Sequence, residues 1–446
     1  MKPEPTNRII VTLPSLEDFR LLVTWVLMLI LLWLPFGGAM AEDAPTPDVA
    51  ATTADVPEER AEMNVETNDD DTAEVDTDTT VDREVAKRGL KINGDLRPIF
   101  NAYDRDRRNG TSNSDEQLGF RTRFLADIGL SDSVHVGARL AGVCYVDDCN
   151  LEFVLDSTPS TNSGLKGGEF TFDELYLHWF RTERGSFAVG RLQTRAVLRS
   201  GVYAKSLDRN NSNNVNINWT DGILAIYRAQ NGWRSSFVLE RNDSDGSSSI
   251  RHGPLDYNDS EARSTYFAGF ENIERWGSVV QRAFDVSYLP NSLLTDGDVA
   301  GRREDYWGLV GRLAMRWPQR SEGIRLRSGL EIGYAPETPT AQAVNLEEDA
   351  DGLAWDVVVS VMDFLPGHSI GVNYAQTGSG WYLSPQFRPN EELLELRYQW
   401  RPAYFPLLEI RIRERQDLQQ ETTAIRKRHE IDGYIRLTWE FDVLKR

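Results

Sequence analysis

The sequence predicts an all-β fold, a transmembrane up-and-down antiparallel β-barrel of about sixteen strands over residues 89–446. Three observations carry that prediction. Segments of period-two alternation recur through the region, short and long connections separate them in turn, and aromatic residues collect at the segment ends.

The first segment, LKINGDLRPIFNAY, sets Leu90, Ile92, Leu96 and Phe100 against Lys91, Asn93, Asp95, Arg97 and Asn101. The second, GFRTRFLADIGL, opposes Phe120, Phe124, Ala126, Ile128 and Leu130 to Arg121, Arg123 and Asp127. In the third, Val134, Val136, Ala138 and Leu140 alternate with His135 and Arg139. The pattern returns in GIRLRSGLEIGY, ELLELRYQW, LLEIRIRER and the terminal GYIRLTWEF, and none of these is helical in period. Turns such as RTERGS, AQNGWR, RWPQRSEG and FLPGHS join some pairs. Polar loops such as DSTPSTNSGLKGG and NDSDGSSSIRHGPLDYNDSEA join others, as expected of short periplasmic turns and long external loops. Trp179, Phe180, Trp233, Trp307, Trp317, Trp400, Tyr404, Trp439 and Phe441 mark segment ends, where interfacial girdles would lie. A soluble β-sandwich would share the alternation; the uneven loops, the aromatic ends and the unbroken run of strands favour the barrel.

Composition excludes other classes. Mean hydropathy is -0.46, and beyond residue 36 no apolar run approaches the roughly 20 residues of a spanning helix. The net charge of -20 disfavours nucleic acid, which is held by neutralising phosphates. Much of that charge lies in residues 42–88, where sixteen acids face four bases among Thr and Ala without aromatics, the composition of a disordered periplasmic segment. Residues 1–41 place Arg20 before the apolar run Leu21–Phe36 and end in Ala39-Met40-Ala41, which reads as a signal peptide cut before Glu42, with an uncleaved anchor as the other reading. The only cysteines, Cys144 and Cys149, are close enough for a local disulfide in an exported protein, with two free thiols as the alternative.

The export signal, the strand and loop alternation and the aromatic terminal strand resemble a Gram-negative outer-membrane porin of general or phosphate-selective type, over about residues 89–441. The resemblance implies a water-filled channel in the outer membrane, passing ions and small hydrophilic solutes by diffusion, with no cofactor, metal or catalytic activity. It also implies a homotrimer bounded by outer-membrane lipid and lipopolysaccharide. Tyr434, Leu437, Trp439 and Phe441 resemble the signal read by the barrel-insertion machinery, although Asp442 to Arg446 follow where that signal would normally end the chain.

Strand parity then assigns the pore lining. Arg121, Arg123, Arg139, Arg312, Arg316, Arg325, Arg327, Arg397, Arg411, Arg413, Arg415 and Arg436 should face the lumen, with Glu331, Glu395, Glu409, Asp432 and Glu440 among them. A basic wall favours anions; the same arginines could equally be neutralised by carboxylates on neighbouring strands. Residues 199–220 form the third long loop, and Lys205, Asp208 and Arg209 would narrow the pore if it folds inward, whereas an ordinary external loop is the alternative. The loop lacks the acidic Pro-Glu-Phe-Gly type of motif of general porins. A sugar channel would need a track of lumenal aromatics, for which Tyr103, Tyr176 and Tyr434 are candidates, and a structural or adhesin barrel would not conduct. His135 and His178 should also face the lumen, with no Ser or Asp placed to complete a catalytic triad.

Overall fold

The computed structural model describes residues 89–445 except 147–148, 151, 156–166, 181, 183, 195, 203–205, 209–218, 243–253, 258–259, 297–301, 319–323 and 385–386. The signal peptide and the acidic segment assigned to 1–41 and 42–88 lie outside the described residues.

Sixteen antiparallel strands form one closed sheet, to which a two-residue strand, β4 (Glu152–Phe153), adds in parallel beside β5. In chain order the barrel strands are β1 (Gly89–Asp106), β2 (Ser112–Ser131), β3 (Val134–Tyr145), β5 (Glu169–Phe180), β6 (Gly185–Leu192), β7 (Thr220–Arg228), β8 (Trp233–Arg241) and β9 (Ser264–Asn272). They continue as β10 (Val279–Leu294), β11 (Arg303–Arg316), β12 (Arg325–Tyr334), β13 (Leu353–Leu365), β14 (His368–Thr377), β15 (Glu391–Trp400), β16 (Leu407–Asp417) and β17 (His429–Lys445). Each barrel strand pairs with its sequence neighbours, and β1 pairs with both β2 and β17, which closes the sheet. Closure leaves no edge, the condition for placing strands in hydrocarbon, where no water can satisfy a lone N–H or C=O.

The alternation read from sequence becomes an inside and an outside. On β17 Asp432, Tyr434, Arg436 and Thr438 are buried, while Ile435 and Trp439 are exposed on the outer face. Phe124, Ile128, Leu175, Leu177, Phe237, Phe284, Leu330 and Ile332 are exposed in the same way on other strands. Aromatics ring both ends of the barrel. Trp179, Trp233, Trp276 and Trp317 lie at the turn end, and at the loop end Tyr266, Tyr288 and Trp307 stack with ring centroids 5.9 and 4.3 Å apart.

Three details depart from the reading of the sequence. The residues beyond Phe441 are not a tail: β17 continues to Lys445 and pairs with β1 through Ile92↔Leu444 and Lys91↔Lys445, past a bulge at Ile92/Asn93. The alternation of short and long connections is broken at the first external loop, 107–111, which is closed by a hydrogen bond from Arg107 N to Thr111 O of 2.8 Å. Compensating for it, β1 and β2 run 18 and 20 residues, about twice the 9–11 needed to cross a bilayer, so the strands themselves supply the height that other loops supply elsewhere. A three-residue 3-10 turn, Glu261–Arg263, is the one helical element among the described residues. Cys144 and Cys149 are disulfide-bonded, with Cα atoms 4.8 Å apart, at the loop end of β3.

Ile435 sits opposite Phe100 and Ile410 on the outer face of the seam. Ile435→Arg is expected to lower the folding stability of the protein in lipid by about 2–4 kcal/mol, read as a fall in denaturant midpoint, if that face contacts hydrocarbon.

Candidate functional site

The lumenal wall of β15 to β17 is built from arginines two residues apart, which parity turns inward together. Asp432 accepts from Arg411 Nη2 at 2.7 Å and Arg413 Nε at 2.8 Å, with Arg415 4.0 Å away. One strand turn lower, Glu409 accepts from Arg436 at 2.8 Å and from the Tyr434 hydroxyl, and Arg397 lies 3.6 Å from it while bonding Glu395 at 2.6 Å. The Tyr434 ring packs between the guanidinium groups of Arg411 and Arg436, 4.3 and 5.0 Å from its centre, so it spaces like charges that would otherwise repel.

The adjoining wall of β1, β2, β3 and β5 repeats the arrangement. Arg121 donates to Asp95 at 2.7 Å, and Arg123 lies 3.1 Å from Asp173. Arg139 holds Asp173 in a two-point bond of 2.8 and 2.8 Å and Glu174 at 2.6 Å. Two consecutive residues reach the same guanidinium because the register slips between Arg139↔Glu174 and Leu140↔Phe172, a bulge that turns Asp173 and Glu174 both inward. Period-two parity gives no sign of that second carboxylate. Across these two walls, among the described residues, ten arginines, counting Arg97 and Arg105, stand among ten carboxylates: Asp95, Asp127, Asp173, Glu174, Glu391, Glu395, Glu409, Asp417, Glu430 and Asp432.

Arg312 belongs to a different structure. It is buried on β11 and contacts Asp208, Asp285 and Glu331 directly, and its Nη2 donates to Ser206 Oγ at 2.7 Å. Ser206 and Asp208 come from the third external loop, so the described residues of this loop lie inside the barrel. Its backbone is bound along the way: the Gln281 amide bonds Val197 O and Arg199 N, both at 2.8 Å, in the manner of a strand partner. Leu207 N donates to Glu331 at 3.1 Å, and Val202 O accepts from Arg397 at 3.4 Å and Gln399 at 3.5 Å. Gly201, at φ +99°, passes so close to β13 that a Cβ would sit 2.8 Å from Ser360 Cβ, which no L side chain tolerates.

The seventh external loop clamps the third. Trp381 Nε1 donates to Leu207 O at 2.9 Å, Ser384 Oγ donates to Ser206 O at 3.2 Å, and Tyr306 OH donates to Gly380 O at 2.9 Å. Trp381, Tyr382, Leu383 and Phe387 then pack with Leu198, Leu207, Leu289, Tyr306 and Val310 into an apolar cluster within the barrel. Sequence reading missed this loop. Its signal was the aromatic, apolar GWYLSPQF in a position where a solvated loop would be polar.

The remaining assignments are placed as follows. Arg325 pairs with Asp363 near the turn end, Arg327 is buried on the same inward face, and Arg316 is half-buried. Lys205 and Arg209 lie outside the described residues. Glu440 is exposed beside Asp95 at the turn-end mouth. His135 and His178 are buried on the inner face, His135 edge-on to the Phe180 ring and His178 tilted against it. Tyr434 points inward, while Trp439 and Phe441 lie on the outer face. The three lumenal tyrosines occupy separate settings: Tyr103 against Arg105, Tyr176 in an apolar cluster of β5 to β9, and Tyr434 among arginines.

No protein-family model matches the sequence, and no curated protein matches it. Solved structures do. OprB of Pseudomonas putida superposes with a TM-score of 0.54 over 79% of this chain and 94% of its own, at 8% identity. OccD3 (OpdP) and OprD of Pseudomonas aeruginosa give TM-scores of 0.49 and 0.47 at 9% and 11% identity, covering 80% and 82% of this chain and 92% and 100% of theirs. The first likeness defines the class of fold, a sixteen-stranded barrel shared with OprB.

Arg312→Met would leave three buried carboxylates without their cation. It is expected to destabilise the protein by about 3–5 kcal/mol and, by unseating the third loop, to raise single-channel conductance in planar bilayers. Trp381→Ala should move conductance in the same direction.

Proposed function

We propose that the chain is an outer-membrane porin, a water-filled channel through which small hydrophilic solutes and ions diffuse, with a preference for anions. The observation that carries the reading is a closed barrel with an apolar outer face and an inner face of two adjoining walls lined by arginines, in which, among the described residues, ten arginines stand among ten carboxylates. Because the two are equal in number and most of these guanidinium groups are bonded to a carboxylate, the preference is modest in size. The inward third loop supports diffusion through a constriction, since it occupies the lumen on the β10 to β15 side and leaves the arginine walls facing it. A sugar channel is less well supported, because the candidate tyrosines sit in separate settings. The reading assigns no catalytic chemistry to the barrel. A homotrimer, insertion through the terminal strand, and a signal peptide ahead of a periplasmic acidic segment complete the proposal.

The test is the zero-current potential of the folded protein in a planar bilayer under a salt gradient. Anion selectivity is expected for the native chain, and a change of sign toward cations for Arg411→Glu/Arg413→Glu. Absence of conductance from folded protein would overturn the channel reading in favour of a structural barrel.

A further inference from the structure

At the turn end of the barrel, on the inner face of β2, β3, β5 and β6, four buried side chains each keep a polar atom without a hydrogen-bond partner: Asp127 Oδ1, His135 Nε2, His178 Nε2 and Ser186 Oγ. A buried polar atom left unpaired costs free energy, so four on adjoining strands point to a ligand that joins them. His135 and His178, 4% and 3% exposed, stand directly opposite each other across β3 and β5, which puts their Cβ atoms about 4.5–5.5 Å apart. The Phe180 ring lies against both, its centre 5.5 Å from His135 and 3.9 Å from His178. Two residues along β3, the Tyr176 ring covers Gly137 so closely that a Cβ there would lie 2.3 Å from it. Asp127 Oδ1 faces His135 Nδ1 at 3.7 Å.

A carboxylate behind Nδ1 favours the tautomer with its proton there, which leaves the Nε2 lone pair of His135 free to coordinate. Two imidazoles on one face, walled by aromatic rings, suit a divalent first-row transition ion such as Zn2+ or Cu2+, and not the oxygen-seeking Mg2+ or Ca2+. We infer that His135 and His178 together bind one such ion through their Nε2 atoms, with Asp127 as the residue that positions His135. Among the described residues no three metal-ligating side chains converge on one point, so the protein supplies two donors and water completes the shell. The pair lies on the turn-end side of Arg139↔Glu174, at the mouth of the lumen opposite the long loops. Metal binding there and ion conduction are independent measurements.

The experiment is calorimetric titration of the untagged full chain, folded in detergent and stripped with EDTA, with Zn2+ and with Cu2+, alongside electron paramagnetic resonance of the Cu2+ form. One ion per chain should bind, an excess of Mg2+ should not displace it, and the Cu2+ spectrum should carry the splitting of two imidazole nitrogens. His135→Gln and His178→Gln should each weaken binding by about tenfold or more and reduce the splitting to one nitrogen. Asp127→Asn should weaken it about tenfold and keep both nitrogens, as a positioning residue would. His368→Gln/His429→Gln, which removes the other two described histidines, should change nothing. No binding by native folded protein at millimolar metal would overturn the inference. So would a native spectrum with fewer than two nitrogens, a result that needs no variant to fold, or unchanged binding in both His135→Gln and His178→Gln. Binding with the expected pattern in a protein that does not conduct would keep the metal site and overturn the channel reading alone.

Discussion

In hydrocarbon a backbone N–H or C=O has no water to turn to, and leaving it unpaired costs several kcal/mol. The seam between β1 and β17 answers that constraint, and the rest of the protein follows from it. Because the seam joins the first strand to the last, every strand in between has two partners, and every residue is committed to one face or the other. A slip of one residue anywhere would carry Arg411, Arg413 and Arg415 into lipid together. The bulge at Ile92/Asn93, which lets β17 extend past Phe441, lies at the turn end of the seam, beyond the stretch where that penalty is greatest.

Inside the barrel, the same closure crowds like charges onto a concave wall, and the molecule resolves the crowding in two ways. Carboxylates bridge the arginines along the strands, with Asp432 and Glu409 each shared by more than one guanidinium, and aromatic faces separate what carboxylates do not reach, as Tyr434 does. The opposite side of the lumen is organised by the reverse ratio. One guanidinium, Arg312, serves three carboxylates and a serine, and since one of those carboxylates and the serine arrive on the third loop, the loop is bound into the barrel by charge as well as by its backbone. Trp381 and its neighbours exclude water from that junction, which strengthens each of its ionic contacts.

Much of this was legible in the chain. Strand parity placed Arg121, Arg139, Arg411, Arg413 and Arg436 on the inner face, and the aromatic residues marked strand ends, because alternation in a closed sheet is a local property that two neighbouring residues already express. Parity breaks at bulges, and so Asp173 and Glu174, both inward around Arg139, were illegible. The partners of each arginine were also out of reach, since register between strands tens of residues apart is set by pairing that no local pattern encodes. The inward course of the third loop depends on Arg312 and Glu331, more than a hundred residues downstream of Ser206, and on a seventh loop whose apolar sequence read alone has no partner. The sequence by itself determined the faces, since hydropathy alternation decides which side of a strand meets lipid. Only the tertiary structure decided how charge is balanced and where the loops go, because ion pairs and loop burial are agreements between distant segments that exist only once the sheet has closed.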